Sequence, residues 1–306
     1  MQRPFAGIHT PIATPFQADG TVDEMALRRN VARWMQSPLT GLVVLGSNGE
    51  APQLDDSEAD RVVAVVREEM PQGRSFIVGT GRESTRATIR AGKRAADAGA
   101  DAVLVRTPAF FKAQMTADVL DRHYREVADA SPVPVLLYNV TMFTGVTLPV
   151  ESVARLAEHP NIVGMKESGS DIGYIADCVQ RTPDSFTILA GSATTFFHAL
   201  CAGCDGGVLA LASLFPADLV LMRDWVQAGN LDQARKLQSR LTPVARSIGG
   251  TCGVAGLKAA LDLLGYYGGP PRPPLRPAPA PVVDVIRQQL EALGALSLAS
   301  TALPRH

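Results

Sequence analysis

The sequence predicts an α/β fold, a (β/α)8 barrel with a C-terminal helical extension, and three observations carry that expectation. Short apolar runs recur with helical segments between them. Most runs are continuously apolar rather than alternating, as strands buried on both faces of a parallel sheet are. Eight such strand–helix units fit into roughly 220 residues, a usual span for this barrel. An open doubly wound sheet usually has fewer strands and a Gly-rich dinucleotide loop after the first. Here the first run ends in Ala13-Thr14-Pro15-Phe16, without such a loop.

In chain order the runs are AGIHTPIATPF from Ala6, GLVVLG from Gly41, SFIVGTG from Ser75 and DAVLVRTP from Asp101. They continue with VPVLLYNV from Val133, NIVGMKES from Asn161, FTILAGS from Phe186 and GGVLALAS from Gly206. Thr21 with Glu24 fits a capping box ahead of MALRRNVARWM. Asp55 is placed to cap the helix holding Val62, Val63, Val65 and Val66. Gly99 ends RESTRATIRAGKRAADA where a left-handed residue is wanted. Residues 1–216 therefore read as the barrel and 217–306 as a C-terminal helical region. That region holds LVLMRDWVQAGN, LDQARKLQSRLTPVARSI and GVAGLKAALDLLGYY, each with helical spacing of apolar residues. Seven prolines between Pro270 and Pro281 then read as an extended strap to a last helix near Val282–Leu293. A strap is the plainer reading than an SH3 ligand. Residues from Ser300 on are expected to fray.

Composition narrows the function classes. A chain of 306 residues should bury about 74% of its unfolded surface. With 46% apolar and 19% charged residues it is neither disordered nor a disulfide-dependent scaffold. Its 29 basic and 30 acidic residues leave a net charge of −1. There is no global field to draw in nucleic acid or an anionic membrane surface. The longest apolar stretch, Gly207 to Met222, is interrupted by Pro216 and Asp218, so no membrane span is expected. The opening MQRPFAGIHTP lacks the apolar core of a signal peptide, and four Cys suit reduced thiols. Both point to the cytoplasm.

In such a barrel, reactive groups sit at the C-terminal ends of the strands. Those ends carry Ser47-Asn48-Gly49-Glu50, Tyr138-Asn139, Lys166-Glu167-Ser168-Gly169 and Gly191-Ser192. Lys166 stands out because it follows Ile162-Val163-Gly164-Met165. A buried, unpaired ammonium is costly, and a fold tolerates one where a neutral amine is wanted as a carbonyl nucleophile. A salt bridge to Glu167 or Asp171 is the structural alternative. Tyr138, on the neighbouring strand, would bring a phenol to the same cavity, a suitable proton carrier for imine chemistry. Ser47, Asn48 and Gly49 offer hydroxyl, amide and backbone donors for a carboxylate. Together these groups describe a site for a 2-oxo acid. Glu50 is read as bracing that turn or opening the next helix.

The same residues resemble the dihydrodipicolinate synthase/N-acetylneuraminate lyase family of pyruvate-handling class I aldolases. The resemblance runs through TPF, GSNGE, TPAFF, LLYNV, NIVGMKESG, LAGS, GGVLALAS and GLKAALDLLGYYGGPPRPPL, nearly the whole chain. GSNGE, YNV and GMKES are specific in combination. What the resemblance implies is a barrel of the TIM type assembled as a homotetramer or dimer, working on a small 2-oxo acid without metal or cofactor. It makes Lys166 the Schiff-base residue and Tyr138 the proton relay. It gives Ser47, Asn48 and Gly49 to the carboxylate, and Ser168, Gly191 and the Leu209 backbone to the pyruvate moiety. The chain also departs from the synthase branch. That branch usually has Thr-Thr at Ser47-Asn48, an Arg at Phe143 and paired tyrosines at Phe110-Phe111. Ser-Asn-Gly-Glu, NIVGMK-x-SG and GLK…GYYGGP look closer to the 4-hydroxy-2-oxoglutarate aldolase branch. The expected activity is thus cleavage or formation of a 4-hydroxy-2-oxo acid. Dihydrodipicolinate synthesis and a non-catalytic oxo-acid binder are the alternatives.

Other signals are weaker. His9, His123, His159, His198 and His306 form no ligand-spaced set. Cys201-x-x-Cys204 lacks a thioredoxin context and reads as two structural thiols. Gly79-x-Gly81-x-x-Ser84 follows the third strand rather than the first and lacks a third Gly, weak grounds for a nucleotide.

Overall fold

Eight parallel strands close into a single ring in chain order, each bonded to the next and the last to the first. The structure, a computed structural model, describes residues 3–296. The fraying expected from Ser300 on lies outside the described residues. The strands are β1 (Gly7–Pro11), β2 (Gly41–Val44), β3 (Ser75–Gly79), β4 (Ala102–Arg106), β5 (Val135–Asn139), β6 (Ile162–Glu167), β7 (Thr187–Ala190) and β8 (Gly206–Val208). Between them run α1 (Glu24–Met35), α2 (Asp56–Glu69), α3 (Thr85–Asp97), α4 (Ala117–Ala130), the single turn α5 (Thr141–Thr144), α6 (Val150–Ala157), α7 (Ile172–Arg181) and α8 (Phe196–Cys201). After β8, helix α9 (Pro216–Gln227) packs on β1. Then come α10 (Leu231–Arg246), α11 (Gly253–Leu263), the Pro-rich strap and α12 (Ala280–Ala292). This is a (β/α)8 TIM barrel with C-terminal helices. Among the described residues no helix is long and apolar enough to cross a membrane.

Two-sided burial explains the continuous apolar runs. In the eight strands only Ser75, Arg106 and Val163 are other than buried. Side chains alternate across the sheet. Leu42, Val44, Phe76, Val78, Val103 and Val105 point outward and pack against the helices. Val43, Ile77, Leu104, Leu136, Leu189 and Val208 fill the lumen. Burying one such side chain contributes about 1.5–3 kcal/mol. Closure between β8 and β1 depends on Gly206, whose φ is +155°. A Cβ there would stand 1.9 Å from the Gly7 carbonyl oxygen, so no other residue lets these strands meet.

Most local signals act as their chemistry requires. Asp55 caps α2 in a full capping box, accepting from the Glu58 N–H while the Glu58 side chain accepts from the Asp55 N–H. Gly99 follows α3 in the left-handed conformation, with φ +86°. The box expected at Thr21 does not form. Asp23 caps α1 instead, accepting from the Ala26 N–H, and Thr21 donates its hydroxyl to Asp19. A carboxylate one residue from the helix start prevails over a hydroxyl three residues away. The strap is anchored at Arg272, which donates to the carbonyls of Gly20 and Gln53 and to the Glu58 carboxylate.

His9 is wholly buried, shares register with the lumen residue Val208, and has no hydrogen-bond partner at either ring nitrogen among the described residues. Burial, reinforced by the Arg223 charge, lowers its pKa from 6.5 to about 4. The folded value lies below the unfolded one. The stability it contributes is therefore complete above pH 6.5 and is lost as pH falls towards 4. Between pH 7 and pH 5 the single titration is worth about 2 kcal/mol. Urea unfolding of the wild type and of His9→Leu at both pH values measures it. The variant is expected to lose about 2 kcal/mol less than the wild type over that interval.

Candidate active site

The register of β5 and β6 sets Tyr138 directly beside Lys166. Both residues are buried, and the Lys166 Nζ lies 4.3 Å from the centroid of the Tyr138 ring. The two carboxylates that could have paired with this amine are engaged elsewhere. Glu167 accepts from the Asn139 amide at 2.6 Å and from the Gly169 N–H, while Asp171 caps α7 through the Tyr174 N–H. Alternation along β6 explains this, because Glu167 faces away from its neighbour's cavity. Burial pushes the Glu167 carboxyl above its usual range, against the opposing pull of its two donors. Lys166 is thus an amine over an aromatic face rather than half of an ion pair.

Ser47 completes this group, its hydroxyl 3.2 Å from the Tyr138 hydroxyl. Ser47–Gly49 forms a tight 3-10 turn at the end of β2. The Asn48 amide donates to the Pro11 carbonyl at 3.5 Å, and the Gly49 carbonyl accepts from the Thr14 hydroxyl at 2.7 Å. Just after β6 and β7, Ser168 and Gly191 lie against each other. A Cβ on Gly191 would stand 2.1 Å from the Ser168 hydroxyl oxygen, so glycine is needed where these two loops meet. The Leu209 N–H donates to the His9 carbonyl and the Leu209 carbonyl accepts from the Ala212 N–H, so both backbone groups already have partners.

Three carboxylates, Glu83, Glu167 and Glu50, shape the mouth, each with partners that the sequence does not reveal. Glu83 accepts from the Ala109 and Phe110 N–H groups and from Arg106, pinning the loop after β4. Its partial burial raises the carboxyl, but the Phe110 and Ala109 N–H groups and Arg106 together hold it below the usual range. Glu167 holds the loop after β6 as described. Glu50, with φ +53°, ends the Ser47–Gly49 turn, and its carboxylate lies 2.6 Å from the Lys258 Nζ. The second Glu50 oxygen accepts from the Arg272 N–H at 2.8 Å, and Lys258 also donates to the Pro270 carbonyl. Burial pulls the Lys258 ammonium below its ordinary range, opposed by the Glu50 charge. A faint signal existed for each: a charged residue beside glycines at a strand end.

Around the mouth, Phe110, Phe111, Met142 and Phe143 are exposed. Arg106 is held by Glu83 and the Thr107 carbonyl, whereas Lys112 lies over Gly145, its Nζ 3.1 Å from where a Cβ would be. Gly79 and Gly81 serve close packing, against the Leu45 carbonyl and Arg106, rather than a phosphate loop. The cysteines Cys178, Cys201, Cys204 and Cys252 are free. Among the described residues no three His, Cys, Asp or Glu side chains cluster to hold a metal.

Comparison with known proteins follows this geometry. The sequence model of the dihydrodipicolinate synthetase family matches residues 4–293. A 4-hydroxy-tetrahydrodipicolinate synthase of an Exiguobacterium species is 36% identical over 277 residues, 90% of this chain and 94% of that one. An uncharacterized DapA-like lyase of Halobacterium salinarum is 37% identical over 270 residues, 88% of each chain. The crystal structure of dihydrodipicolinate synthase from Thermotoga maritima superposes with a TM-score of 0.91 at 32% identity. It covers 95% of this chain and 99% of that one. The chloride-inhibited dihydrodipicolinate synthase of Acinetobacter baumannii, complexed with pyruvate, gives 0.91 at 29% identity, covering 95% and 99%.

Proposed function

Since the chain belongs to the dihydrodipicolinate synthetase family and is a lyase of the class I aldolase kind, we propose that it cleaves or forms a 4-hydroxy-2-oxo acid through an imine on Lys166. One observation carries the reading: a buried amine, unpaired with any neighbouring carboxylate, lies over the ring of Tyr138, whose hydroxyl meets Ser47. The Lys166 amine adds to the C2 ketone, and the hydroxyl leaves as water with the proton of Tyr138, giving a protonated imine beside a Tyr138 phenolate. Breaking the C3–C4 bond sends its electron pair into that imine, and the 4-hydroxyl proton passes to Tyr138 as the aldehyde departs. The enamine takes a proton at C3, and hydrolysis releases pyruvate. Ser47, Asn48 and Gly49 hold the oxo-acid carboxylate, with Ser168, Gly191 and Leu209 flanking the pyruvate moiety.

With 4-hydroxy-2-oxoglutarate the aldehyde is glyoxylate. Phe143 supports an aldolase over a synthase by position: it stands where the synthase branch usually has the Arg that holds the carboxylate of aspartate semialdehyde. That carboxylate is set further from the aldehyde carbon than that of glyoxylate, and the exposed Phe143 ring offers no charge there. The second reading is the synthase itself, favoured by the names of the relatives and by Lys112 lying over Gly145, near Phe143. The protein is taken to be cytoplasmic, in keeping with its free thiols, and to work as a homotetramer or dimer. A neighbouring copy would cover Phe110 and Phe111.

Three outcomes test this reading. Borohydride with pyruvate should reduce a covalent adduct onto Lys166 in the wild type, and Lys166→Ala should lose both adduct and turnover. Reversible pyruvate binding without any adduct would identify a non-catalytic binder instead. Tyr138→Phe should lower kcat by about 10²–10⁴-fold while pyruvate binding changes little. Equal losses in both would leave Tyr138 a structural residue only. Last, kcat/KM for 4-hydroxy-2-oxoglutarate cleavage should exceed that for semialdehyde condensation on the same preparation. A missing charge-assisted hydrogen bond is worth about 1.5–3 kcal/mol, roughly ten- to a hundred-fold. A faster semialdehyde reaction would establish the synthase.

A further inference from the structure

The Ser47–Gly49 turn is held from an unexpected direction. Within the turn the Gly49 N–H donates to Gly46 and the Glu50 N–H to Ser47, and β1 and its loop add the Asn48 amide on Pro11 and the Thr14 hydroxyl on Gly49. Two non-glycine residues flank it in the left-handed region, Leu45 at φ +56° and Glu50 at φ +53°. Such conformations persist only where the surroundings over-determine them. At Glu50 the surroundings come from the far end of the chain. The carboxylate is 2% exposed and meets Lys258 of α11 at 2.6 Å and the Arg272 N–H of the strap at 2.8 Å. Lys258 is 1% exposed, donates to the Pro270 carbonyl, and lies 4.5 Å from the centre of the Phe16 ring. The Arg272 guanidinium sits over that ring's centre at 4.4 Å and reaches Gly20, Gln53 and Glu58.

We propose that Glu50 and Lys258 are positioning residues for substrate. The buried pair fixes the backbone of the Ser47–Gly49 turn, so the C-terminal region sets the affinity of the site for the oxo-acid carboxylate. The inference rests on the reading of that turn as the carboxylate site. The pair touches neither the Lys166 amine nor the Tyr138 hydroxyl. Its loss acts on the capture of the 2-oxo acid rather than on imine chemistry. A pair serving only to hold α11 on the barrel would change stability and leave capture alone.

Borohydride trapping of Lys166 at graded pyruvate concentrations separates the two. Glu50→Gln and Lys258→Met should each raise the pyruvate concentration for half-maximal trapping at least tenfold, with the adduct formed at saturation unchanged. The double variant Glu50→Gln/Lys258→Met buries no unpaired charge and should regain much of the thermal stability its parents lose. Its pyruvate requirement should stay raised, because the amide at position 50 keeps only the Arg272 N–H and no charge on α11 draws the turn into place. The proposal is overturned if the double variant traps at the wild-type pyruvate concentration, or if the single variants lose melting temperature without any shift in half-trapping. Should Lys258→Met fail to fold, Glu50→Gln alone decides the matter, since its amide oxygen still accepts from Arg272. Absence of any adduct in the wild type would refute the imine reading itself and is thereby distinguishable.

Discussion

Closure of the barrel between β8 and β1 is the constraint on which the rest of the molecule depends. A ring of eight strands has no free edge, so each register fixes the next. Gly7 and Gly206 let the last strand approach the first, and the ring then turns Tyr138 and Lys166 to the same side at the same height. The lumen beneath is filled by Val43, Ile77, Leu104, Leu136 and Leu189. An amine above such a floor is out of bulk water and away from the outward-facing carboxylate of Glu167. Its chemical character follows from the alternation of a strand, not from a specialised loop.

The loops at the mouth share one device. Each of three glutamates places its carboxylate beneath a backbone N–H that the fold would otherwise leave without an acceptor. Glu83 does so for Ala109 and Phe110, Glu167 for Gly169, and Glu50 for Arg272. A charged acceptor roughly doubles the strength of such a bond. Loops that carry glycine and aromatic residues thereby acquire definite shapes without a core of their own. In the loop after β4 this leaves the rings of Phe110 and Phe111 edge to face, 5.0 Å apart, and open to solvent.

What could be read directly from the sequence was whatever depends on neighbours in the chain. The apolar runs marked every strand, because a strand buried on both faces needs no polar alternation. Asp55 announced its capping box through Glu58, three residues on. The juxtaposition of Tyr138 with Lys166 followed from adjacent strands in a parallel order. Thr21 misled, because a capping pattern cannot tell a serviceable hydroxyl from a better carboxylate two residues later. The pairing of Glu50 with Lys258 was invisible for another reason. Glutamate after a turn and lysine in a helix are each ordinary on a surface, and only the path of the C-terminal region buries both. The engagement of the Leu209 N–H by His9 was hidden likewise, since strand ends fix which backbone groups remain free only once the barrel has closed.

The span between Glu50 and Lys258 also orders events during synthesis. Ribosomes add about 5–20 residues per second, so roughly 10–40 s separate the two residues as the chain emerges. Throughout that interval the nascent chain carries a glutamate bound for the interior while the lysine that pairs with it is still to be made. That glutamate stays hydrated until α11 and the strap arrive. A chain that ends between β8 and α11 thus has all eight strands but leaves the Glu50 carboxylate without its lysine.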